Sequence, residues 1–245
     1  MKIWLRLYAV LFDRPLKNGA VVQNYRIVKM LGIGSYGYSY LVSDGSPGMK
    51  VLKQLRKRPD GSSNFLREKE ILRALRHPHI PKLLDDFEWG GRRFIVMEQM
   101  PGKTFEDLIF EAHKTFSEQE AFHMLRKVLD VTSYFHRKGI VHGDLRIPNI
   151  LFDEKENAVS IIDFGMASYG EKFHADFEKL GHFTLFLLYS GYRPEQKKER
   201  PWYEELPLSG ESSLVLKKML QIEKPYETVD ELIKDVDGLL LSLEA

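Results

Sequence analysis

Hydrophobic residues follow two different periods along this chain, and the change from one to the other falls near residue 100. Before that point the apolar residues form short runs rich in β-branched and aromatic side chains, separated by clusters of glycine, proline and aspartate. Such runs predict strands joined by turns. The predicted strands cover residues 25–31, 39–43, 49–55, 83–88 and 92–98. One helix is predicted among them, because Leu66, Ile71, Leu72 and Leu75 recur at helical spacing ahead of Pro78.

From about residue 103 the period is that of helices. Ser117 and Glu120 form a capping box ahead of a long amphipathic helix, and Thr228 and Glu231 form another that opens the last helix. A short β pair at 150–152 and 159–162 precedes a further helix that begins near Asp176. The pattern therefore predicts an α+β fold, with a β-rich N-lobe at about 20–100 and a mainly helical C-lobe at about 101–245.

Composition narrows the class of protein. The 245 residues include 36 Lys and Arg, 35 Asp and Glu, and no Cys. A formal charge of +1 gives no bulk attraction to nucleic acid, so no nucleic-acid partner is predicted. The lack of cysteine excludes a disulfide scaffold, a thiolate zinc site and a cysteine nucleophile. It also makes a reducing, cytoplasmic compartment the simplest expectation.

Residues 1–12 form an apolar stretch ahead of the predicted domain. Arg6 interrupts this stretch and no small-residue cleavage site follows it, which disfavours a signal peptide. It is also shorter than the roughly 20 residues that a membrane-spanning helix needs. We expect residues 1–19 to be an extension whose helix packs on the domain's own surface. Contact of residues 1–12 with a membrane surface or a partner protein stays open but is not favoured.

A glycine cluster follows the first long predicted strand. Gly32, Gly34 and Gly37 are spaced so that a backbone without Cβ atoms can approach phosphate oxygens closely. The cluster lies between two predicted strands and not between a strand and a helix, which disfavours a dinucleotide-binding fold of the Rossmann type. By itself the spacing is also compatible with a plain glycine-rich turn.

A lysine and a glutamate in the N-lobe can form an ion pair that directs the lysine towards phosphates. Lys50 lies in the predicted strand and Glu68 lies on the following helix. Lys53 competes for the same role, and its side chain points to the opposite face of the strand because the offset between the two lysines is odd. The prediction assigns the role to Lys50.

The most specific pattern lies in the C-lobe. Asp144 and Asn149 stand close together in the chain, and Asp163 follows after the short β pair. These residues supply three side chains with oxygen donors. Donors of this kind suit Mg²⁺, which binds through one or two carboxylates plus phosphates. The two segments are His142-Gly-Asp-Leu-Arg-Ile-Pro-Asn149 and Asp163-Phe-Gly165.

Taken in order, these segments resemble the motifs of the protein kinase superfamily, and the chain is similar to the eukaryotic-like serine/threonine kinases of bacteria. The resemblance runs from about Tyr25 to about Leu240. It covers the glycine-rich loop, the lysine strand at 49–52, the helix and its exit at 68–80, the gatekeeper and hinge at 94–102, and both C-lobe motifs. It implies a bilobal kinase-like fold, and transfer of the γ-phosphate of ATP, with Mg²⁺, to a hydroxyl of an unidentified protein substrate.

The resemblance also implies roles for the matching residues. Asp144 would be the catalytic base that orients the substrate hydroxyl, and Arg146 would place a cation at the γ-phosphate. Lys50, held by Glu68, would bind the α- and β-phosphates. Asp176 would brace the backbone of the catalytic loop.

The implied metal ligands are Asn149 and Asp163. The residues implied to bind ATP are Gly32, Ile33, Gly34, Ser35, Gly37, Lys50, Met97, Glu98 and Met100. In this set Met97 is the gatekeeper, and the backbone at Glu98 and Met100 would contact adenine.

Three departures from the family pattern bear on function. Ser39 replaces the valine that usually packs over adenine, and Gly143 replaces the arginine that usually receives the phosphate of the activation segment. The segment from Asp163 to Asp176 is about half as long as is usual. We therefore expect regulation by activation-segment phosphorylation, and the usual peptide-docking platform, to be missing.

Two other function classes stay open from the sequence. Kinase-fold enzymes that phosphorylate small molecules, such as aminoglycoside and choline kinases, and the small kinase of the tRNA-threonylcarbamoylation complex also combine His-Gly-Asp with a short segment after Asp-Phe-Gly. A pseudokinase that binds ATP as a scaffold is the other alternative. The protein serine/threonine kinase is favoured. The presence of Lys50, Glu68, Asp144, Asn149 and Asp163 argues against a pseudokinase, and the stretch 101–134 leaves no room for the extra helical insert of the small-molecule kinases.

Overall fold

The computed structural model describes residues 15–34, 37–55, 61–193 and 200–244, with the backbone alone at residues 61–65. The prediction for residues 1–12 and the assignment of Ser35 to the ATP site lie outside the described residues. The chain divides into two compact units, Met1–Met100 and Pro101–Ala245. The first is rich in β-structure and the second is mainly helical.

Among its described residues, the first unit forms a six-stranded antiparallel sheet and one helix. The order across the sheet is β1-β2-β3-β4-β6-β5. The strands are β1 Val21–Val22, β2 Tyr25–Ile33, β3 Gly37–Ser43, β4 Lys50–Leu55, β5 Leu83–Trp89 and β6 Arg92–Glu98, and the helix is α1 Gly61–Ala74.

The two faces of this sheet are covered by different sets of apolar side chains. Tyr40, Leu52 and Phe94 belong to a core cluster on one face, while Ile95 and Met97 belong to a separate cluster. Neighbouring residues of a strand point to opposite faces of the sheet. Phe94 and Ile95 are therefore in different clusters although they are adjacent in the chain. Each large side chain that is fully buried here contributes about 1.5–3 kcal/mol to folding.

Helix α1 presents an apolar side to the rest of its unit. Ile71, Leu72 and Leu75 are buried, as the helical spacing predicted. The Leu75 amide still donates to the Ile71 carbonyl at 3.1 Å. The helix then ends ahead of Pro78, because a proline disfavours helical backbone in the residue before it.

The described residues of the second unit form helices and two small sheets. Its helices are α2 Glu118–His136, α3 His174–Tyr189, α4 Trp202–Glu205, α5 Gly210–Met219 and α6 Val229–Glu244. The short strands are β7 Lys103–Thr104, β8 Ile140–Val141, β9 Ile150–Asp153, β10 Ala158–Ile161 and β11 Ser168–Tyr169. They form the sheets β10-β9-β7 and β11-β8. A π-helical turn lies at Asp107–Glu111.

Both predicted capping residues accept the expected hydrogen bond. Ser117 Oγ accepts from the Glu120 amide at 3.2 Å, and the Glu120 carboxylate accepts from the Ser117 amide at 2.8 Å. At α6, Thr228 Oγ1 accepts from the Glu231 amide at 3.3 Å, but the Glu231 carboxylate accepts from Glu227, one residue before the cap. The first capping box is therefore complete and the second is shifted by one residue. Each cap stabilises its helix by about 1 kcal/mol.

Among the helices formed by the described residues, none combines the length and the apolar character needed to cross a bilayer.

Candidate active site

The glycine cluster forms the turn between β2 and β3. Gly32 lies opposite Ser39, and Ile33 lies opposite Tyr38. The Gly34 amide donates to the Gly37 carbonyl at 2.9 Å and closes the turn. A Cβ atom at Gly37 would lie 2.0 Å from the Gln54 carbonyl oxygen on β4. Only glycine fits there, so this residue has a structural reason that is independent of any ligand.

The register of β3 with β4 shows which face of the sheet each of the two lysines of β4 occupies. Lys53 lies opposite Ser39, and Lys50 lies opposite Val42. Directly opposed residues share a face of the sheet, and successive residues alternate between faces. Lys53 therefore shares its face with Ser39 at the glycine loop, and Lys50 points to the other face.

Glu68 of α1 pairs with Lys53 and not with Lys50. The distance from Lys53 Nζ to Glu68 Oε1 is 2.6 Å, and the two side chains are 8% and 3% exposed. Lys50 Nζ instead contacts Asp44 Oδ1 at 2.7 Å and Ser46 Oγ at 2.6 Å in the preceding turn. The predicted Lys50–Glu68 pair is therefore wrong. Both lysines match the sequence pattern, and only the register decides which of them faces α1.

Breaking the Lys53–Glu68 ion pair is expected to lower the free energy of unfolding. Both charges are withdrawn from water, and breaking a buried ion pair by removal of one of its charges typically destabilises a protein by about 3–5 kcal/mol. The pair therefore fixes the position of the Lys53 ammonium group relative to β4 and α1.

The segment proposed as the hinge begins at the end of β6. Met97 lies opposite Val51, and its side chain is buried, as is that of Met100. The Glu98 amide donates to the Lys82 carbonyl at 3.0 Å. Because this amide is already used, an adenine contact in this segment must involve the other backbone groups of Glu98 and Met100.

In the second unit, the residues of the first C-lobe motif hold one another in place. Asn149 Nδ2 donates to the Asp144 carboxylate at 2.7 Å and to the Asp144 backbone carbonyl at 2.9 Å. Arg146 Nε lies 2.9 Å from the other carboxylate oxygen, Asp144 Oδ1. The carboxylate is thus oriented by an amide on one side and by a cation on the other.

The buried carboxylate of Asp176 on α3 supports the loop that carries Asp144. Its two oxygens accept from the backbone amides of His142 at 2.8 Å and Gly143 at 2.7 Å. The predicted brace is therefore present. Sequence reasoning missed a third donor, His136 Nε2, which lies 2.9 Å from Asp176 Oδ2. Its position in the last turn of α2 gave no chemical signal in the sequence.

His142 is a structural residue. Its Nε2 faces the Ile162 carbonyl at 3.1 Å, while its Nδ1 accepts from the Asp144 amide at 3.2 Å. Because a carbonyl only accepts and an amide only donates, the imidazole is neutral with its proton on Nε2. Complete burial lowers the pKa of His142, against the opposing effect of Asp176 and other carboxylates.

Asp163 has an unusual backbone conformation that its neighbour stabilises. Its φ of 61° lies in the left-handed region, where aspartate is tolerated better than most residues. The following Phe164 is buried and packs edge-on against His142 and Phe135, at centroid distances of 4.6 and 5.8 Å. This aromatic contact anchors the residue next to the predicted metal ligand.

Backbone contacts hold the first part of the short segment between Asp163 and Asp176. Strand β11 pairs with β8 through Ser168 opposite Val141 and Tyr169 opposite Ile140. Gly143, with φ of 79°, passes so close to this segment that a Cβ atom would lie 3.2 Å from the Met166 carbonyl oxygen. The replacement of the usual arginine by Gly143 is thus matched by the local backbone.

Comparison with known sequences matches the protein kinase domain to residues 25–192, more than half of the chain. The probable serine/threonine-protein kinase YbdM of Bacillus subtilis is 35% identical over 252 residues, which cover 97% of this chain and 98% of that protein. The carbon catabolite-derepressing protein kinase of Saccharomyces cerevisiae is 39% identical, over 62% of this chain and 24% of its own length. The human hormonally up-regulated neu tumor-associated kinase is 34% identical, over 63% of this chain and 22% of its own length.

The chain belongs to the protein kinase family. Within it, the match over nearly the full length is to a bacterial protein of the serine/threonine class. These findings confirm the predicted family, the bilobal α+β fold and the predicted function as a protein serine/threonine kinase. They give no support to the small-molecule and scaffold alternatives.

Proposed function

We propose that this kinase transfers the γ-phosphate of ATP, with Mg²⁺, to a serine or threonine hydroxyl of a protein substrate, with Asp144 as the catalytic base. The observation that carries the proposal is the orientation of the Asp144 carboxylate by Asn149 Nδ2 at 2.7 Å. A carboxylate held in this way can accept the hydrogen bond of a substrate hydroxyl in a fixed direction. The substrate itself stays unidentified.

The residues proposed to hold the metal fit Mg²⁺. Both of the hydrogen bonds described for the Asn149 side chain are made by Nδ2, so Oδ1 remains as the atom that can face a cation. Asp163 adds a carboxylate. One amide oxygen and one carboxylate are too few for a complete coordination shell, which agrees with the preference of Mg²⁺ for phosphate and water as its other ligands. When bound, ATP·Mg²⁺ supplies the phosphoryl group and neutralises charge that develops on it.

In the first unit, the lysine proposed to bind the phosphates of ATP is Lys53. We assign contact with the α- and β-phosphates to Lys53, which replaces Lys50 in the proposed set, with Glu68 fixing its ammonium group. The backbone of Gly32, Gly34 and Gly37 is proposed to approach the phosphates. Phosphoryl transfer depends mainly on such positioning and on charge stabilisation.

Arg146 has a double role in the proposal. It neutralises Asp144 in the present structure at 2.9 Å, and its side chain is 59% exposed. An exposed guanidinium can exchange this partner for the γ-phosphate, which it recognises in a bidentate way. Asp144 would then be released to accept the substrate proton.

The test is phosphate transfer from labelled ATP to generic protein substrates in the presence of Mg²⁺. Asp144→Asn keeps the size of the side chain but removes the base, and we expect transfer to fall by about 10²- to 10⁴-fold while ATP binding persists. Unchanged transfer by this variant would contradict the role of Asp144. A cytoplasmic location stays a prediction from the cysteine-free sequence, and cell fractionation with antibody detection tests it.

A further inference from the structure

Helix α1 is attached to the sheet at a second point beside the Lys53–Glu68 pair. Asp86 on β5 forms ion pairs with two side chains of α1. Lys69 Nζ lies 2.6 Å from its Oδ2, and Arg73 Nη2 lies 2.8 Å from its Oδ1. Lys69 and Arg73 are four positions apart, so they project from the same side of the helix on successive turns. Each carboxylate oxygen of Asp86 thus holds one turn of α1.

The two attachments lie in one row of the sheet. Lys53 on β4 is directly opposite Ile95 on β6, and Ile95 is directly opposite Asp86 on β5. Residues that are directly opposed share a face, so Lys53 and Asp86 point to the same side, two strand spacings apart. The fully buried Ile95 lies between them.

Successive residues of α1 engage the two ends of this row. Glu68 contacts Lys53, and the next residue, Lys69, contacts Asp86. The direction of α1 across the sheet is therefore fixed at two points and not only at the Glu68 carboxylate. Without the two ion pairs to Asp86, α1 could turn about the Lys53–Glu68 pair or slide along its apolar side.

We propose that Asp86 is a positioning residue that clamps α1 on the sheet, so that Glu68 meets Lys53 without a partner protein or a phosphorylation event. The inference rests on the proposed role of Lys53 in ATP binding. The second unit offers a parallel, because Ser168 and Tyr169 in the segment after Asp163 pair with β8. The clamp makes the kinase constitutively ready to bind ATP.

The experiment compares Asp86→Asn with Glu88→Gln. Glu88 is on the same strand and pairs with Arg93 at 2.7 Å, so its variant removes one acidic charge and one ion pair from β5 without touching α1. Mg·ATP affinity is measured by calorimetry, and backbone motion of α1 by hydrogen–deuterium exchange. Neither measurement needs turnover.

For Asp86→Asn we expect roughly three- to tenfold weaker Mg·ATP binding and faster exchange of the α1 amides, because the substitution removes a partly exposed network of two ion pairs. Glu88→Gln and the conservative variant Asp86→Glu should resemble the unchanged protein in both measurements. If Asp86→Asn binds Mg·ATP normally and α1 exchanges normally, the clamp is refuted. Thermal unfolding of each variant separates these outcomes from a failure to fold, in which case Lys69→Met with Arg73→Met provides the same test from the helix side.

The two proposals fail in different ways. If the unchanged protein binds Mg·ATP but transfers no phosphate, the proposed function is refuted while the clamp is still tested by affinity and exchange. If Asp86→Asn loosens α1 but Mg·ATP affinity stays the same, the clamp exists and does not act on Lys53, which overturns the inference alone.

Discussion

Two lysines on strand β4 form ion pairs of nearly equal length and differ completely in what the pair connects. Lys50 reaches Asp44 at 2.7 Å within one surface turn, and Lys53 reaches Glu68 at 2.6 Å on a helix that follows in the chain. The first pair closes a turn and the second fixes a helix to a sheet. The distance between two charges is therefore a poor guide to their importance, while burial and the elements that they join are a good one.

The same contrast recurs in the second unit. Asp176 is completely buried and joins α3 to the loop at His142, whereas Asp230 pairs with Arg137 between side chains that are each 69% exposed. Exposed pairs contribute about 0.2–1 kcal/mol or nothing measurable. Matched substitutions of one buried and one exposed group therefore test whether burial decides the importance of a pair.

The largest effect is expected from the two lysines. Lys53→Met removes the cation proposed to bind the phosphates and breaks the buried ion pair with Glu68, so we expect phosphate transfer to fall by about 10²- to 10³-fold. Lys50→Met removes only the turn contact and should keep at least half of the activity. Initial rates with labelled ATP measure both. An inactive Lys50→Met variant beside an active Lys53→Met variant would make Lys50 the phosphate-binding lysine.

The next effect is expected at Asp176. Asp176→Asn replaces one acceptor oxygen by an NH₂ group that faces backbone amides and His136, and we expect the free energy of unfolding to fall by about 3 kcal/mol. Urea titration followed by circular dichroism measures it. Asp230→Asn is the exposed control and should change the free energy by less than about 1 kcal/mol. Equal effects of the two substitutions would contradict the contrast between buried and exposed carboxylates.

The smallest effect is a dependence of stability on pH. Burial lowers the pKa of His142 in the folded protein below its ordinary value near 6.5, so the unfolded chain binds a proton first as the pH falls. The free energy of unfolding should therefore be steady above pH 6.5 and fall below it, by up to about 1.4 kcal/mol per pH unit for this group. His77, whose pKa is also lowered by burial, acts in the same direction.

Urea titrations at a series of pH values test this expectation. His142→Gln should be less stable overall and should show a shallower fall below pH 6.5. His182→Gln changes an exposed histidine on α3 and controls for the removal of a histidine as such. A fall that is equally steep in His142→Gln would assign the pH dependence to other groups.

Elements with a long, regular pattern were predictable from the sequence. The strand Arg92–Glu98 and the helix that Ser117 and Glu120 cap lie where the pattern placed them. The two-residue strands β1, β7, β8 and β11 were not predicted, because two residues cannot display a period. Their pairing depends on which backbone lies beside them.

The contacts of the candidate site also differ in how far the sequence could predict them. Asp144 and Asn149 contact one another because a short loop joins them, so a local pattern was enough to link them. His136 and Asp176 meet across 40 positions of the chain, and Asp86 meets α1 from another strand. Contacts of this kind leave no local signal in a single sequence.

The family, the order of strands and helices, and the residues available for chemistry could be read from the sequence, since motif spacing and hydrophobic period are properties of neighbouring residues. That Lys53 and not Lys50 contacts Glu68 follows from the three-dimensional structure. Both lysines fit the motif, and their side chains point to opposite faces of β4. Which face receives helix α1 is set by the register of the sheet and by contacts such as Asp86 with Lys69, which exist only after the strands have paired.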